Sequence, residues 1–359
     1  MKKYIAQLTL LSALAGCGYK QQSATAQKPV ATDSVGKLVP VVITDTVTHD
    51  TDDPAIWINP ADASKSLIVG TDKDVNGALY VFDLEGKVVN KVANLKRPNN
   101  VDIAYGLLLG GKPVDIAVVT ERKTHKLRIF SLPDMKAVDN GGIPVFEGET
   151  TADYRDLMGI ALYTSPAKEI YAIVGRKTGP TDGTYLWQYL LTDDGSGKVK
   201  ATLKRKFGKY SGKKEIESIA ADNELGYIYY ADEGAGVHKY YADPAKGNHE
   251  LAFFGTRDFA EDVEGISIYK TGAGTGYILV SDQQANKFNV YKREGSAENH
   301  NEHTVIASIP FSTLESDGSE VTNVNLNKRF PKGLFVAMTN GKTFHYYDWR
   351  DIESRIVSK

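Results

Sequence analysis

The feature that most constrains the fold of this chain is a strand–turn–strand pattern that recurs six times. In each copy an apolar strand meets a polar turn, and a second strand rich in aromatic residues follows. The copies are 66–70 with 78–82, 114–119 with 127–130, 169–174 with 185–190, 226–230 with 237–241, 276–280 with 288–291 and 333–337 with 343–347. Their spacing of roughly 50 to 57 residues is near the period of known propeller blades. The pattern predicts an all-β, six-bladed β-propeller with four-stranded antiparallel blades around a central channel, and a large β-sandwich is the alternative.

The N-terminal segment is typical of an exported protein. Two lysines precede a short apolar run at 8–14, and the residues LAGC at 14–17 resemble a bacterial lipobox. We therefore predict an exported bacterial lipoprotein, periplasmic or anchored at the outer membrane or cell surface, with a signal peptide over 1–16 and a lipidated Cys17. The alternative is an ordinary signal peptide with an incidental cysteine.

The rest of the chain divides in two. Residues up to about 40 are rich in Gln, Ser, Ala, Thr and Lys, so we predict a flexible tether over 17–40 and a single propeller domain over 41–359. Because Cys17 is the only cysteine, the propeller can have neither an intrachain disulfide nor a cysteine nucleophile. The net charge of −2 provides no global basic field for nucleic acid.

A carboxylate or an amide precedes the inner strand of every copy. These residues are Asp52 and Asp53; Asn99, Asn100 and Asp102; Asp156; Glu217; Asp262 and Glu264; and Asp317 and Glu320. The first strand of a propeller blade is innermost, so we expect these side chains to converge on one mouth of the central channel. Clustered carboxylates must take up protons or bind cations, and oxygen donors without nearby His or Cys favour calcium. The alternative is that each acid caps a turn by accepting backbone N–H bonds.

Cationic side chains follow the second strand in three successive copies. They are Lys73, Arg122, and Lys177 with Arg176 beside it, while Glu233 takes the corresponding place in the fourth copy. The mouth would then carry cations on one side and metal ions on the other, which suits a polyanion with several phosphates. The alternative is that these are solvated turn residues.

Several of these motifs together resemble the β-propeller phytases. The matching segments are DDPAIW at 52–57, NNVDI at 99–103, ESIAAD at 217–222, DVEG at 262–265 and SDG at 316–318. The similarity extends from about residue 45 to Ile352, with the motifs in the family's order. The resemblance implies a calcium-dependent phytase of the 3-phytase type, which acts on phytate and other inositol phosphates.

The resemblance also implies residue roles. Several Ca²⁺ ions would be held by Asp52, Asp53, Asn100, Asp102, Glu217, Glu233, Asp262, Glu264 and Asp317. Among these, Asp52, Glu217, Asp262 and Glu264 would carry catalysis, by in-line attack of a calcium-activated water on phosphorus. Lys73, Arg122, Arg176 and Lys177 would bind substrate phosphates. We expect a neutral pH optimum, no covalent phosphoenzyme, and a monomer that meets the membrane only through its lipid anchor.

The sequence departs from the family pattern at three places. Met158 stands where the family often has tyrosine, the residues MTN at 338–340 replace a common Gln-Asp-Gly, and Thr178 follows Lys177 where some relatives have glutamate. We expect Arg176 to compensate in part for the last change. The histidines are scattered, and we interpret His300 and His303 in a polar loop as surface residues.

Two other functions remain open at this point. A calcium propeller lactonase or phosphotriesterase would need one calcium ion and no cationic side chains at the mouth. A non-catalytic lipoprotein that captures anions would keep the cations without needing every carboxylate. The number of tightly bound calcium ions discriminates among the three functions, because only the phytase needs several.

Overall fold

The computed structural model describes residues 36–357. In that range, six four-stranded sheets with antiparallel pairing surround a central channel that is lined by the first strand of every blade. The predicted six-bladed β-propeller is therefore confirmed. The recurring sequence pattern corresponds to the second and third strands of each blade.

The strands of the first three blades follow one another along the chain. Blade 1 contains β2 (Thr51–Trp57), β3 (Leu67–Asp72), β4 (Gly77–Phe82) and β5 (Val88–Leu95); blade 2 contains β6 (Pro98–Leu109), β7 (Lys112–Glu121), β8 (Lys126–Leu132) and β9 (Ile143–Pro144); blade 3 contains β10 (Leu157–Thr164), β11 (Ile170–Arg176), β12 (Leu186–Asp193) and β13 (Val199–Phe207).

The last three blades include the strand that closes the ring. Blade 4 contains β14 (Ile219–Asp222), β15 (Tyr227–Asp232), β16 (Gly236–Tyr241) and β17 (Glu250–Phe254); blade 5 contains β18 (Val263–Gly272), β19 (Thr275–Asp282), β20 (Lys287–Lys292) and β21 (Val305–Pro310); blade 6 contains β22 (Ser319–Thr322), β23 (Leu334–Thr339), β24 (Thr343–Asp348) and β1 (Val42–Ile43). Short 3₁₀ helices cover Ala63–Lys65, Arg122–Thr124 and Pro244–Lys246.

Burial changes from the middle of a blade to its outer edge. Strand β11 is buried at every position, as expected for a strand whose two faces are both covered by neighbouring blades. The outer strand β5 is mostly exposed and carries Asn90 and Lys91. Polar and charged residues on such an edge oppose pairing with other chains. The chain therefore places its apolar runs at the blade centres.

The two ends of the propeller domain meet in blade 6. Strand β1 pairs with β24, with Val42 opposite Tyr346 and Ile43 opposite His345. Just before β1, the Leu38 N–H donates to the Pro310 carbonyl at 2.9 Å, and the Leu38 side chain is buried. Strand β1, from the N-terminal end of the domain, is thus the outer strand of blade 6 and closes the ring of blades.

One α-helix, α1 (Trp349–Val357), follows the last strand in the described part of the chain, and the sequence pattern did not predict it. Trp349, Ile352 and Ile356 are its buried residues, at the spacing that gives a short helix one apolar side. The Trp349 ring stacks on Tyr269 of blade 5 with 3.5 Å between centroids. Between residues 36 and 357, no helix combines the length and apolar character needed to cross a membrane.

We expect Trp349→Ala to lower the free energy of unfolding by about 3–5 kcal/mol, the usual cost of removing a fully buried large aromatic side chain. Denaturant unfolding monitored by circular dichroism measures this change. Val357→Ala at the exposed end of the same helix is the matched control and should stay within about 0.5 kcal/mol of wild type. Equal stability of the two variants would contradict the packing role of α1.

Candidate active site

Side chains from four blades meet at one mouth of the channel. Asn99 donates from Nδ2 to Oδ2 of Asp52 at 3.1 Å and to Oε1 of Glu217 at 3.3 Å. Lys73 forms an ion pair with Asp52 and lies 3.2 Å from Oδ2 of Asp317. Asn99 and the three acids begin or precede inner strands of blades 1, 2, 4 and 6, so the predicted convergence occurs there. Lys73 follows the second strand of blade 1.

Further acids complete this group. Carboxylate oxygens of Glu215, Glu217 and Glu233 all lie within 4.8 Å of one another. Asp262 and Glu264 stand at the start of blade 5, and both are buried. We call the whole set the mouth cluster: Asp52, Glu215, Glu217, Glu233, Asp262, Glu264 and Asp317.

Glycines let neighbouring blades approach closely at this cluster. A Cβ on Gly159 of β10 would lie 2.1 Å from the Glu217 carbonyl oxygen. A Cβ on Gly318 would lie 2.7 Å from the carbonyl oxygen of Asp52. Real Cβ atoms do not come so close to backbone, so both positions require glycine for the acids to stand where they do.

Gly159→Ala should therefore displace Glu217. We expect any catalytic rate that depends on Glu217 to fall about tenfold to hundredfold, because a displacement of about 1 Å at a reacting centre costs that much. Steady-state kinetics measures the loss. Gly272→Ala in β18 is the control, since its Cβ would meet only the Thr275 hydroxyl at 3.2 Å. Full activity of the Gly159 variant would show that this close approach does not position Glu217.

The mouth cluster is electrostatically unfavourable when all its acids are ionised. Burial, together with the charge of Asp52, raises the pKa of Glu217 well above its ordinary value. Burial and the neighbouring carboxylates Glu215 and Asp262 raise the pKa of Glu233 to about 8. Burial, followed by Glu233 and Glu217, also raises the pKa of Glu264 well above its ordinary value. Such a group favours protons or bound cations.

The donor atoms of the site fit a hard cation. Apart from Oδ1 of Asp52, which pairs with Lys73, four buried oxygens of the site accept no hydrogen bond from any residue in the 36–357 range: Oδ1 of Asn99, Oδ1 of Asn100, Oε1 of Glu233 and Oε2 of Glu264. A buried oxygen without a donor costs free energy unless something else satisfies it. Carboxylate and amide oxygens, without nitrogen or sulfur ligands, are the donors that calcium prefers.

A second group of acids lies inside the channel. Asp53, Asp102 and Glu320 line a cavity of about 260 Å³ between the inner strands. Asp53 accepts the Val101 N–H at 3.0 Å, and Asp102 accepts the Leu162 N–H at 2.6 Å. Burial raises the pKa of Asp102 to about 6, and burial with the charge of Asp102 raises that of Glu320 to about 8. The predicted acids therefore form two groups, except for Asp156, which lies 3.4 Å from His125.

Three of the predicted cations lie close to the mouth cluster. Lys73 contacts Asp52 and Asp317, and Lys177 Nζ lies 2.6 Å from Oε2 of Glu215. Burial acts to lower the pKa of Lys73, but the surrounding carboxylates outweigh it and raise the value. Burial lowers the pKa of Arg122, and the charge of Glu217 opposes that change.

Met158, which replaces a tyrosine of the family pattern, lies against Arg122. The guanidinium of Arg122 contacts the Met158 sulfur, and its Nε donates to the Leu157 carbonyl at 3.1 Å. These contacts fix the direction of the Arg122 side chain.

Arg176 does not occupy the position that the sequence suggested. Its guanidinium is fully buried and donates to the carbonyls of Tyr154, Thr184 and Tyr185. It also lies 3.2 Å from Glu149 and packs over the Phe146 ring. Because these contacts occupy the guanidinium inside blade 3, we exclude Arg176 from the substrate-binding residues and do not expect it to compensate for Thr178.

Sequence reasoning placed Asn99 at the mouth without a role and missed three residues of the site: Lys214, Glu215 and Gln283. Glu215 lies two residues before Glu217, a spacing that places side chains on one side of an extended segment and could have indicated it. Lys214 pairs with Asp262, and Gln283 donates to Asp317. Neither contact has a local sequence signal.

Two other positions complete the comparison with the sequence. His303, predicted to lie at the surface, is buried. Its Nε2 lies 3.2 Å from the Lys239 ammonium, and its Nδ1 lies 2.9 Å from the Lys292 carbonyl oxygen. At the changed segment 338–340, Asn340 donates to Glu315 at 2.8 Å, a direct contact between side chains.

Comparisons with known proteins agree with this geometry. The family described as Phytase matches residues 4–346. The chain is 28% identical over 330 residues to the 3-phytase of Bacillus subtilis (strain 168), which covers 85% of this chain and 81% of that protein. A solved luciferin-regenerating enzyme is similar in fold alone, with a TM-score of 0.51 and 15% identity over 86% of this chain and 95% of its own. The family match, which spans nearly the whole chain, shows that this protein belongs to the phytase family and is a hydrolase of that family.

Proposed function

We propose that this protein is a calcium-dependent phytase that releases inorganic phosphate from phytate at the mouth of the propeller. The observation that carries the proposal is the mouth cluster itself. It gathers buried carboxylates from several blades, keeps buried oxygens without hydrogen-bond donors, and places Lys73, Arg122 and Lys177 beside them. The 3-phytase relative supports the same substrate class.

The ions would be held by groups already described. At the mouth these are the carboxylates of the mouth cluster, together with the side-chain oxygens of Asn99 and Asn100. Asp53 and Asp102 would serve a further ion in the channel. When bound, calcium neutralises phosphate charge and makes a nearby water more acidic. The ligands must be ionised, so metal affinity should fall as the pH drops.

The cations of the chain would bind and orient the substrate. Arg122 is held by its contacts with Leu157 and Met158, so its charge is positioned before the substrate arrives. Lys73 and Lys177 pair with Asp52 and Glu215 in the absence of other cations. If ions took these carboxylates, both ammonium groups would become available to substrate phosphates. A substrate with several phosphates would use more of these charges than a simple ester.

Phosphate release from phytate near neutral pH, with calcium present, tests the proposal. Parallel assays with a lactone and a phosphotriester test the alternative propeller hydrolases. We expect release from phytate and none of the other activities above background. Hydrolysis of the lactone or triester without release from phytate would overturn the proposal. Trapping of a phosphorylated side chain would refute direct attack by water.

Export as a lipoprotein remains a separate proposal. Cys17 and the segments 1–16 and 17–35 lie outside the described residues. The support for the proposal is the sequence alone, in which residues 14–17 resemble a lipobox. Metabolic labelling with a fatty acid should mark the wild-type protein and not Cys17→Ala. Equal labelling of both would refute lipidation at this residue. We also propose a monomer, which light scattering of the mature protein would test.

A further inference from the structure

Lys214 is a cation of the mouth that the preceding assignments leave without a role. Its ammonium forms an ion pair with Oδ1 of Asp262, and its side chain is 47% exposed. Lys214 is therefore a charged and partly solvated group, held at the mouth by one carboxylate.

Lys214 lies between two cavities. The first, of about 500 Å³, is lined by Asp156, Lys177, Glu215 and Glu233 among others. The second, of about 340 Å³, is lined by Phe259, Glu261 and Asp262 among others. Lys214 lines both, so its ammonium can reach either cavity through rotations of its own side chain.

The first cavity suits a phosphate better. Two ammonium groups, those of Lys177 and Lys214, border it. Of its four acids within residues 36–357, Glu215 and Glu233 belong to the mouth cluster that ions would neutralise, and Asp153 and Asp156 lie outside that cluster. The second cavity contains Phe259 and Glu261, and Glu261 lies outside the mouth cluster. A phosphate can therefore accept hydrogen bonds from two ammonium groups on the Lys177 side, whereas Lys214 is the one cation among the described residues that lines the second cavity.

The ion pair itself indicates how Lys214 would be released. Asp262 is a proposed calcium ligand, and a divalent ion on its carboxylate would displace a competing ammonium. The long, partly exposed side chain could then turn toward the first cavity at little cost in burial. Lys73 likewise forms an ion pair with a proposed calcium ligand, Asp52.

We infer that Lys214 is a specificity-determining substrate ligand, which leaves Asp262 when an ion binds there and then contacts a substrate phosphate in the cavity it shares with Lys177. This inference rests on the proposed phytase function. It predicts that Lys214 favours substrates with several phosphates over simple monoesters, because only the former can fill the reaction site and this cavity together.

Lys214→Met is compared with Lys213→Met in the protein spanning residues 18–359. The control removes the same charge from the adjacent residue, whose exposed ammonium donates to the Gly234 carbonyl at 2.7 Å. Calorimetry measures binding of calcium alone, and then of inositol hexakissulfate, a non-hydrolysable polyanion. We expect Lys214→Met to weaken polyanion binding about threefold to tenfold, the range for a partly exposed charged hydrogen bond. Calcium affinity should stay equal or rise, because a competing cation is gone.

Kinetics provides a second measurement. Lys214→Met should raise KM for phytate by a similar factor and leave KM for p-nitrophenyl phosphate unchanged, whereas Lys214→Arg should retain most of the wild-type behaviour. Unchanged polyanion binding in Lys214→Met, or an equal loss in Lys213→Met, would overturn the inference. Loss of calcium affinity would also overturn it, because it would indicate a structural role. Absence of phosphate release by wild type would count against the proposed function, while the binding measurement would still decide the role of Lys214.

Discussion

Replacement of Glu217 by glutamine is expected to lower phosphate release from phytate about 100-fold or more. Glu217 accepts a hydrogen bond from Asn99 and lies beside the carboxylates of Glu215 and Glu233. Its replacement therefore removes charge at the centre of the mouth cluster. Removing a single group that stabilises the transition state typically costs 10²–10³ in rate. Steady-state assays at saturating calcium measure the effect.

In the absence of calcium, the same substitution should raise the stability of the protein. The raised pKa of Glu217 means that its ionisation opposes folding near neutral pH, and glutamine removes that penalty. We expect a higher melting temperature than wild type in chelator and a smaller increase on adding calcium. Glu298→Gln, on the exposed surface, is the control for charge and should change neither property. An inactive variant that is also less stable in chelator would indicate general misfolding.

Without calcium, the protein is expected to lose stability as the pH rises from about 4.5 to about 8. The relevant carboxyls have raised pKa values in the folded state, about 6 for Asp317 and about 8 for Glu233. The folded protein therefore holds protons that the unfolded chain releases at lower pH. The stability from these protonated groups is complete below the unfolded pKa and disappears as the pH passes the folded values.

Calcium should reverse this loss. Binding to the folded state at about 1,000 times the dissociation constant contributes about 4 kcal/mol per ion, so several ions should raise the melting temperature by about 10 °C or more at pH 7.5. Thermal unfolding with calcium, magnesium or chelator at several pH values measures this effect. A melting temperature at pH 7.5 that is the same with calcium and chelator would contradict the assignment of the mouth cluster as a metal site.

The repeat in the sequence was sufficient to predict the blades but not their closure. The recurring apolar segments mark buried strands, and the second and third strands of all six blades lie where the pattern indicated. Strand β1 has only two residues, and its partner β24 is some 300 residues away, so no local pattern marks it. Helix α1 has nine residues and three buried positions, which is too short for a distinct helical period.

The site was predictable in composition and less so in arrangement. Acids before inner strands converge because propeller geometry brings those strand starts together. The division between mouth and channel depends on which way each side chain points. Asp52 contacts Lys73 and Asn99, whereas its neighbour Asp53 lines the channel and accepts the Val101 N–H, consistent with alternation along a strand.

Arg176 shows the limit of reasoning from spacing. It adjoins Lys177 in sequence, but the ammonium of Lys177 pairs with Glu215 and the guanidinium of Arg176 turns into blade 3. That outcome depends on the carbonyls of Tyr154, Thr184 and Tyr185 and on the Phe146 ring, whose positions around the guanidinium the spacing of the repeat does not reveal.

The proposed calcium-dependent phytase activity is tested by phosphate release from phytate near neutral pH, by the protein spanning residues 18–359, first in calcium, then in excess chelator, then with calcium restored. We expect release that disappears in chelator and returns with calcium. Release that persists in chelator would contradict the role assigned to the mouth cluster, and no release from a folded, calcium-loaded protein would contradict the proposed function itself.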